Sequence, residues 1–269
     1  MFDTESYLAG LAVILGAGLV VWLLSLRIRD VSIVDSLWPL MFLFAAVTYY
    51  TIPPATGPRA ELIVALVAIW SIRLFAYITW RNWGEAEDRR YQAIRANNAP
   101  NFSLKSLYIV FGLQGAIAWI VSVPLLAAIV SPSALAPLDY LGVGVWFAGM
   151  VYEAGGDYQL ARFRADSANR GKVLDYGLWR YTRHPNYFGN ACVWWGFGII
   201  AVSGGAWWAP ISPLLMTVVL LKVSGVSLLE KDIGDRRPDY AEYITRTSAF
   251  IPCPARRLKS SEQRSSQRG

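Results

Sequence analysis

Seven apolar runs, each close to the length that crosses a lipid bilayer, constrain this chain more than any other feature it has. They cover residues 6–26, 31–52, 60–80, 106–131, 137–157, 187–204 and 207–226, punctuated by Pro53-Pro54, Gly57-Pro58, Pro132, Pro137 and Gly204-Gly205. Inside hydrocarbon every backbone N–H and C=O needs a partner within its own segment, so a run of about 20 residues resolves as an α-helix. The expected fold class is therefore all-α: a polytopic membrane protein of seven transmembrane helices. Composition agrees, with 55% hydrophobic residues, only 16% charged and a mean hydropathy of +0.35. No long polar block separates the runs, so residues 1–254 read as a single membrane domain. The remainder, 255–269, is a basic, Ser- and Gln-rich tail expected to be disordered in the cytoplasm.

Charge orients the bundle. Lys and Arg follow the first run (Arg27, Arg29), the third (Arg81 to Lys105), the fifth (Arg162 to Arg183) and the seventh (Lys231 onward), whereas the alternate loops carry only Arg59. With seven spans every basic loop falls on one face, which the positive-inside rule makes cytoplasmic; the N-terminus is then outside and the C-terminus inside. The net charge of +6 is thereby a topological signal, divided among loops at a membrane surface, and no nucleic-acid partner is expected. Cys192 lies in an apolar run and Cys253 in the basic tail region, so the two do not form a disulfide framework. Asp3 and Glu5 stand where a signal peptide carries basic residues, which predicts an uncleaved first helix.

Ionisable residues inside spans are costly and usually face a cavity or a partner. Asp35 falls one turn into the second run, Arg73 within the third, and Glu153 and Asp157 near the cytoplasmic end of the fifth. A spacing of four puts Glu153 and Asp157 on one helix face, and Arg164 continues that face. Two readings are open: Arg73 paired with Asp35 or Glu153 and Asp157 with Arg164 as inter-helix or helix-end pairs, or all of them around one inward-opening polar cavity. Nucleotide-binding glycine signatures, a nucleophile elbow and a zinc-protease helix are all absent, and one histidine without a cysteine pair predicts no metal site.

Residues 152–195 gather Arg162, Arg164, Arg170, Lys172, Arg180 and Arg183 with Asn169, Asn186 and Asn190, interleaved with Tyr, Trp and Phe. Guanidinium groups bind phosphates bidentately, carboxamides bind nicotinamide or ribose, and rings stack on adenine, so the combination suits a phosphorylated dinucleotide. An interfacial aromatic belt with topogenic arginines is the other reading of the rings. The only histidine, His184, precedes Pro185, which disfavours helix there; it is expected to form the turn into the sixth span and offer a ring nitrogen to a phosphate or the backbone. Arg236 and Tyr240 lie after the seventh run, placed either to close over a cofactor or on a surface helix.

The string GLWRYTRHPNYFG, with Asp157, Phe163, Asn169, Lys172 and Asp175 before it and Trp194-Trp195-Gly196 after it, resembles the DUF1295 branch of the steroid 5α-reductase family. The similarity extends from DVSIVDSLW through WSIRLFAYITWR to RRPDYAEYITRTSAFIP. It implies a seven-helix enzyme that uses NADPH to reduce the C4–C5 double bond of 3-oxo-Δ4-steroids or related lipophilic enones. The enzyme would be multi-pass in a bacterial inner membrane or the endoplasmic reticulum, with membrane lipid around it and no protein partner required. By position, Asp157, Arg164, Lys172, Asn186, Asn190 and Trp194 match cofactor contacts. Glu153 stands where mammalian members have Asn, and Asn190 where they have Glu; Arg73 and Tyr77 match an Arg-x-x-x-Tyr pair. Asp35 matches the substrate-side glutamate, and the tyrosine that partners it aligns with Trp70. In that reading a protonated Asp35 donates to the enone oxygen while negative charge develops there. RHPxYxG also occurs in isoprenylcysteine carboxyl methyltransferases, so an S-adenosylmethionine-dependent methyltransferase is the competing class.

Overall fold

A computed structural model describes residues 2–53, 57–223 and 239–256. Every element among them is helical; the one β-type contact is an isolated bridge between Thr182 and Ser248. The chain divides into two compact units, Met1–Gly144 with Trp195–Leu215 and Val145–Trp194 with Met216–Gly269.

The first unit opens with α1 (Thr4–Ile28), which Arg29 ends in the left-handed conformation with φ 58°. Asp30 then caps a single 3-10 turn, Val31–Ile33, by accepting from the Ser32 N–H at 2.8 Å, and α2 follows (Val34–Thr51). Pro58 at its first turn starts α3 (Pro58–Asn82), where the missing N–H costs nothing. A short surface helix, α4 (Arg89–Asn97), is capped by Asp88, and α5 spans Phe102–Ile129 with a π-helical stretch over Leu107–Gly112. Helices α6 (Pro137–Ala165) and α7 (Pro185–Ser203) contribute residues to both units. The described remainder holds α8 (Ile211–Val218), continued by a π-helical turn to Val223, and α9 (Tyr240–Arg246).

Four helices, α1, α2, α3 and α5, are long and apolar enough to cross a membrane, and they coincide with the first four apolar runs. The other three runs are helical with shifted ends. The helix of the sixth run, α7, starts at Pro185, because proline fits a first turn, and that of the seventh run, α8, starts at Ile211, because residues 207–210 turn instead of continuing the run. Glu153, Asp157, Arg162 and Arg164 dilute the apolarity of α6, and the helix from Ile211 to Lys222 is shorter than a span. Residues 224–226 and the tail from 257 lie outside the described residues.

Within the first unit α2 is the central helix: 56% of its apolar window is buried against 22% for α1, so α1 keeps one flank outward. Gly10 lets α1 approach the Tyr49 ring, where a Cβ would collide, and the Tyr49 hydroxyl pairs with Ser122 Oγ at 2.7 Å. At the far end of the α2–α3 hairpin from Asp35, Arg59 is fully buried and forked onto Asp139, Nε to Oδ1 at 2.8 Å and Nη2 to Oδ2 at 2.9 Å. Ser131, Ser133 and the Ala134 carbonyl take its other N–H groups, while Ser203 and the Ala136 N–H donate to Asp139. Every guanidinium hydrogen therefore has an acceptor, as a buried charge requires.

Candidate functional site

Two polar clusters emerge, one in each unit. In the first, Asp35 sits in the opening turn of α2, where the 3-10 turn delivers it, and α4 docks against it from the loop after α3. The Tyr91 hydroxyl donates to Asp35 Oδ1 at 2.5 Å, and Arg90 Nη2 donates to Oδ2 at 2.7 Å. Gln114 of α5 donates its Nε2 to the Tyr91 hydroxyl at 2.8 Å, closing a chain Gln114–Tyr91–Asp35–Arg90. Tyr91, which the sequence reading did not include, is thus a hydrogen-bond partner of Asp35. Trp70 is fully buried in α3, with its ring 5.8 Å from Phe42. Arg90 makes an ion pair with Asp35.

Why α4 docks here is legible in its neighbours. Tyr91 is buried in an apolar cluster with Trp22, Val31, Val34, Phe102 and Phe111, which draws the helix onto the start of α2. Glu87 accepts from the Val31 N–H at 3.0 Å and grips Arg95 at 2.7 and 2.9 Å; the Arg95 guanidinium in turn lies 4.6 Å from the Phe102 ring. Burial acts to raise the Glu87 and Asp88 carboxyls, but bonds from Arg95 and Val31 to Glu87, and from Arg90 to Asp88, outweigh it and hold both below the usual carboxylate range. Burial also opposes the Arg90 cation, yet Asp88 and Asp35 more than offset it and keep the guanidinium charged. The Tyr91 phenol is pushed well above its ordinary value, first by burial and then by the Asp35 charge.

Arg73 and Tyr77 are half-buried on α3, spaced four so that they share a face; Arg81 continues it, with its guanidinium 5.7 Å from the Tyr77 ring.

In the second unit α6 and α7 touch backbone to backbone. A Cβ on Gly149 would lie 2.6 Å from both the Gly189 carbonyl and the Val193 nitrogen, and one on Gly189 would collide with Glu153. That closeness forms a two-rung ladder: Asn190 Nδ2 donates to Glu153 Oε1 at 3.0 Å, and Asn186 Nδ2 to Asp157 Oδ1 at 3.1 Å. Glu153, Asp157 and Asn190 are buried, and Trp194 is fully buried one turn beyond Asn190. Arg164 and Lys172, expected with this group, are exposed at the end of α6 and in the following loop.

Arg183 ties the loop before α7 to the C-terminal segment. Its Nη1 donates to the Thr247 carbonyl at 2.7 Å and the Ile244 carbonyl at 3.3 Å, and its backbone N–H to Ser248 at 2.9 Å. Together with Thr182 Oγ1 to the Phe250 carbonyl, Arg246 to Asp175 and Tyr243 to the Trp179 carbonyl, it straps residues 240–256 onto the loop before α7. His184 is buried in the turn into α7, its ring 5.6 Å from Tyr187 and nearly parallel to it. Tyr240 is buried at the start of α9, and Arg236 lies outside the described residues. Among the described residues no cluster of metal-ligating side chains occurs. Two contributors escaped the sequence reading, Tyr91 and Gln114; the signal for the first was an aromatic residue beside arginine in a capped helix within an otherwise polar loop.

The profile of DUF1295, described as a protein family of unknown function, matches residues 21–247. An uncharacterized protein of Schizosaccharomyces pombe is 24% identical over 286 residues, covering 93% of this chain and 81% of that protein. No solved structure matches the chain. The family profile takes in both clusters, Asp35–Tyr91–Gln114 and Glu153–Asn190 with Asp157–Asn186, and the chain belongs to the DUF1295 family.

Proposed function

We propose that this protein is a membrane-embedded, NADPH-dependent reductase of lipophilic enones, of which 3-oxo-Δ4-steroids are the type, on the steroid 5α-reductase branch. The observation that carries the reading is the Tyr91 hydroxyl held between Asp35 and Gln114. Reduction of an enone at its β-carbon builds negative charge on the carbonyl oxygen, and a preorganised donor there lowers the barrier. Tyr91 has one proton, directed at Asp35; a substrate oxygen replaces Asp35 as its acceptor, while Arg90 keeps hold of the carboxylate. Gln114 spends one N–H of Nε2 on Tyr91 and retains a second as a further donor. Asp35 thus orients the donor instead of donating.

The residues present fit a reduced nicotinamide dinucleotide in their chemistry. Buried Glu153 and Asp157 accept from carboxamide or ribose donors, Asn186 and Asn190 offer amides, and exposed Arg164 and Lys172 suit phosphate. Such a cofactor would supply the hydride for the β-carbon. Arg73, Tyr77, His184, Trp194 and Tyr240 remain members of the proposed cofactor set.

In this reading all seven helical runs span the bilayer, with the N-terminus outside and the C-terminus cytoplasmic. The contacts of Arg90 and Tyr91 with Asp35, and of Glu87 with Val31, support it, because they bring the loop after α3 to the start of α2. Purified protein in lipid nanodiscs is tested for NADPH oxidation across Δ4-3-ketosteroids and smaller enones. The expected result is turnover that Asp35→Asn lowers with NADPH binding intact, through loss of the charge that holds Arg90 and Tyr91 in place, and that Lys172→Ala weakens through cofactor affinity. Thermal stabilisation by S-adenosylmethionine with no response to NADPH sinks the proposal in favour of a methyltransferase.

A further inference from the structure

The outward flank of α1 is not smooth. The π-helical stretch Leu107–Gly112 displaces the start of α5 from a regular helical register, and a cavity of about 250 Å³ opens between Leu15, Gly18 and Leu19 on α1 and Tyr108, Phe111 and Gly112 on α5. The space beside Gly18 is open, since a Cβ built there meets no atom within 4 Å. Its walls continue as two exposed apolar edges. On α1, Leu15, Leu19 and Leu23 recur every four residues and lead to Arg27; on α5, Tyr108 and Leu104 lead back to Lys105. The Trp22 indole donates to the Ser103 carbonyl at 3.0 Å and to Ser106 Oγ at 3.2 Å, fastening the two walls together at their basic ends. Arg27 is exposed, and half-buried Lys105 gives one N–H to the Asn98 carbonyl at 3.0 Å, leaving two others.

An apolar trough ending in two cations matches one class of molecule. From Leu15 to Arg27 the α1 edge is about 18 Å long at 1.5 Å rise per residue. Half of a bilayer core is about 15 Å, the depth one acyl chain reaches below its headgroup. We propose that this groove seats an acyl chain of an anionic glycerophospholipid, with the phosphate against Arg27 and Lys105. The apolar lining takes the chain whatever its headgroup, and the cations select the negative one. The proposal rests on membrane embedding and not on reduction chemistry.

The test is native mass spectrometry of the full chain released from nanodiscs of equimolar phosphatidylglycerol and phosphatidylcholine. One retained lipid per chain is expected, phosphatidylglycerol over phosphatidylcholine by about tenfold, which corresponds to ~1.4 kcal/mol. Gly18→Leu fills the groove and removes the retained lipid of either kind. Arg27→Gln combined with Lys105→Gln keeps a lipid and loses the preference. A wild-type chain whose retained lipid mirrors the bilayer composition overturns the proposal, and that measurement needs no variant to fold. So does retention unchanged by Gly18→Leu, or displacement of the lipid by glycerol phosphate alone. None of these readouts involves NADPH, so failure here and failure of the reductase reading are separate outcomes.

Discussion

Arg59 and Asp139 are both fully buried, whereas Arg90 and Asp35, paired at almost the same distance, leave 33% and 18% of their side chains exposed. The first pair closes on itself: hydroxyls, carbonyls and a backbone N–H saturate it at one end of the α2–α3 hairpin. The second, at the other end, is a chain with an open side, reaching through Tyr91 to Gln114. A closed knot ties helices together; an open one has donors to exchange. The contrast also bears on topology, because Arg59 is the single basic residue of its alternate loops and its burial removes that cation from the surface.

The largest expected effect breaks the closed pair. Asp139→Ala leaves the Arg59 guanidinium buried without its counter-charge and is expected to cost about 3–5 kcal/mol, read as a loss of thermal stability in detergent. A variant as stable as wild type contradicts the knot. Next, Tyr91→Phe keeps the ring in its apolar cluster and removes the hydroxyl, so enone reduction is expected to fall roughly 10²–10³-fold. Its stability should drop by only about 1 kcal/mol. Equal losses of stability and turnover would make Tyr91 merely structural.

Arg90→Ala repeats the operation of Asp139→Ala at the open pair. Solvent reaches both partners there, so the expected loss is at most about 1 kcal/mol. A cost like that of Asp139→Ala erases the distinction between the two ends. The smallest effect is on pH. Glu87 and Asp88 titrate below the usual carboxylate range, so their contribution to docking α4 is present above about pH 4 and is lost as the pH falls through their lowered values. Hydrogen-exchange protection of residues 89–97, taken relative to intrinsic amide exchange at each pH, should fall only in acid; a loss of protection between pH 5 and 8 would show that other groups hold α4.

Periodicity and punctuation made the helices legible. The first four runs differ from the helices mainly at their ends, because a backbone that cannot bond to solvent has few alternatives. The Glu153–Asp157 stripe was readable too, since i, i+4 spacing fixes a shared face, and its facing residues Asn186 and Asn190 share that spacing. Tyr91 was not readable: it lies 56 residues from Asp35 in a polar loop, and only the packing of α4 onto Trp22, Val31 and Phe111 brings it there. The carbonyl contacts of Arg183 were not readable for a related reason. A guanidinium suits phosphate and clustered carbonyls alike, and the strap from residues 240–256 supplied the carbonyls.

By itself, the sequence determined the helical runs, their spacing and the faces on which carboxylates and amides fall, because those follow from local geometry and the cost of unsatisfied backbone in an apolar surrounding. Which donor reaches Asp35, which arginine is sealed and which is open, and where the π-helical turn leaves a groove were decided only in the tertiary structure. Each depends on contacts between segments far apart in the chain, where similar residues compete for the same partner and packing selects among them.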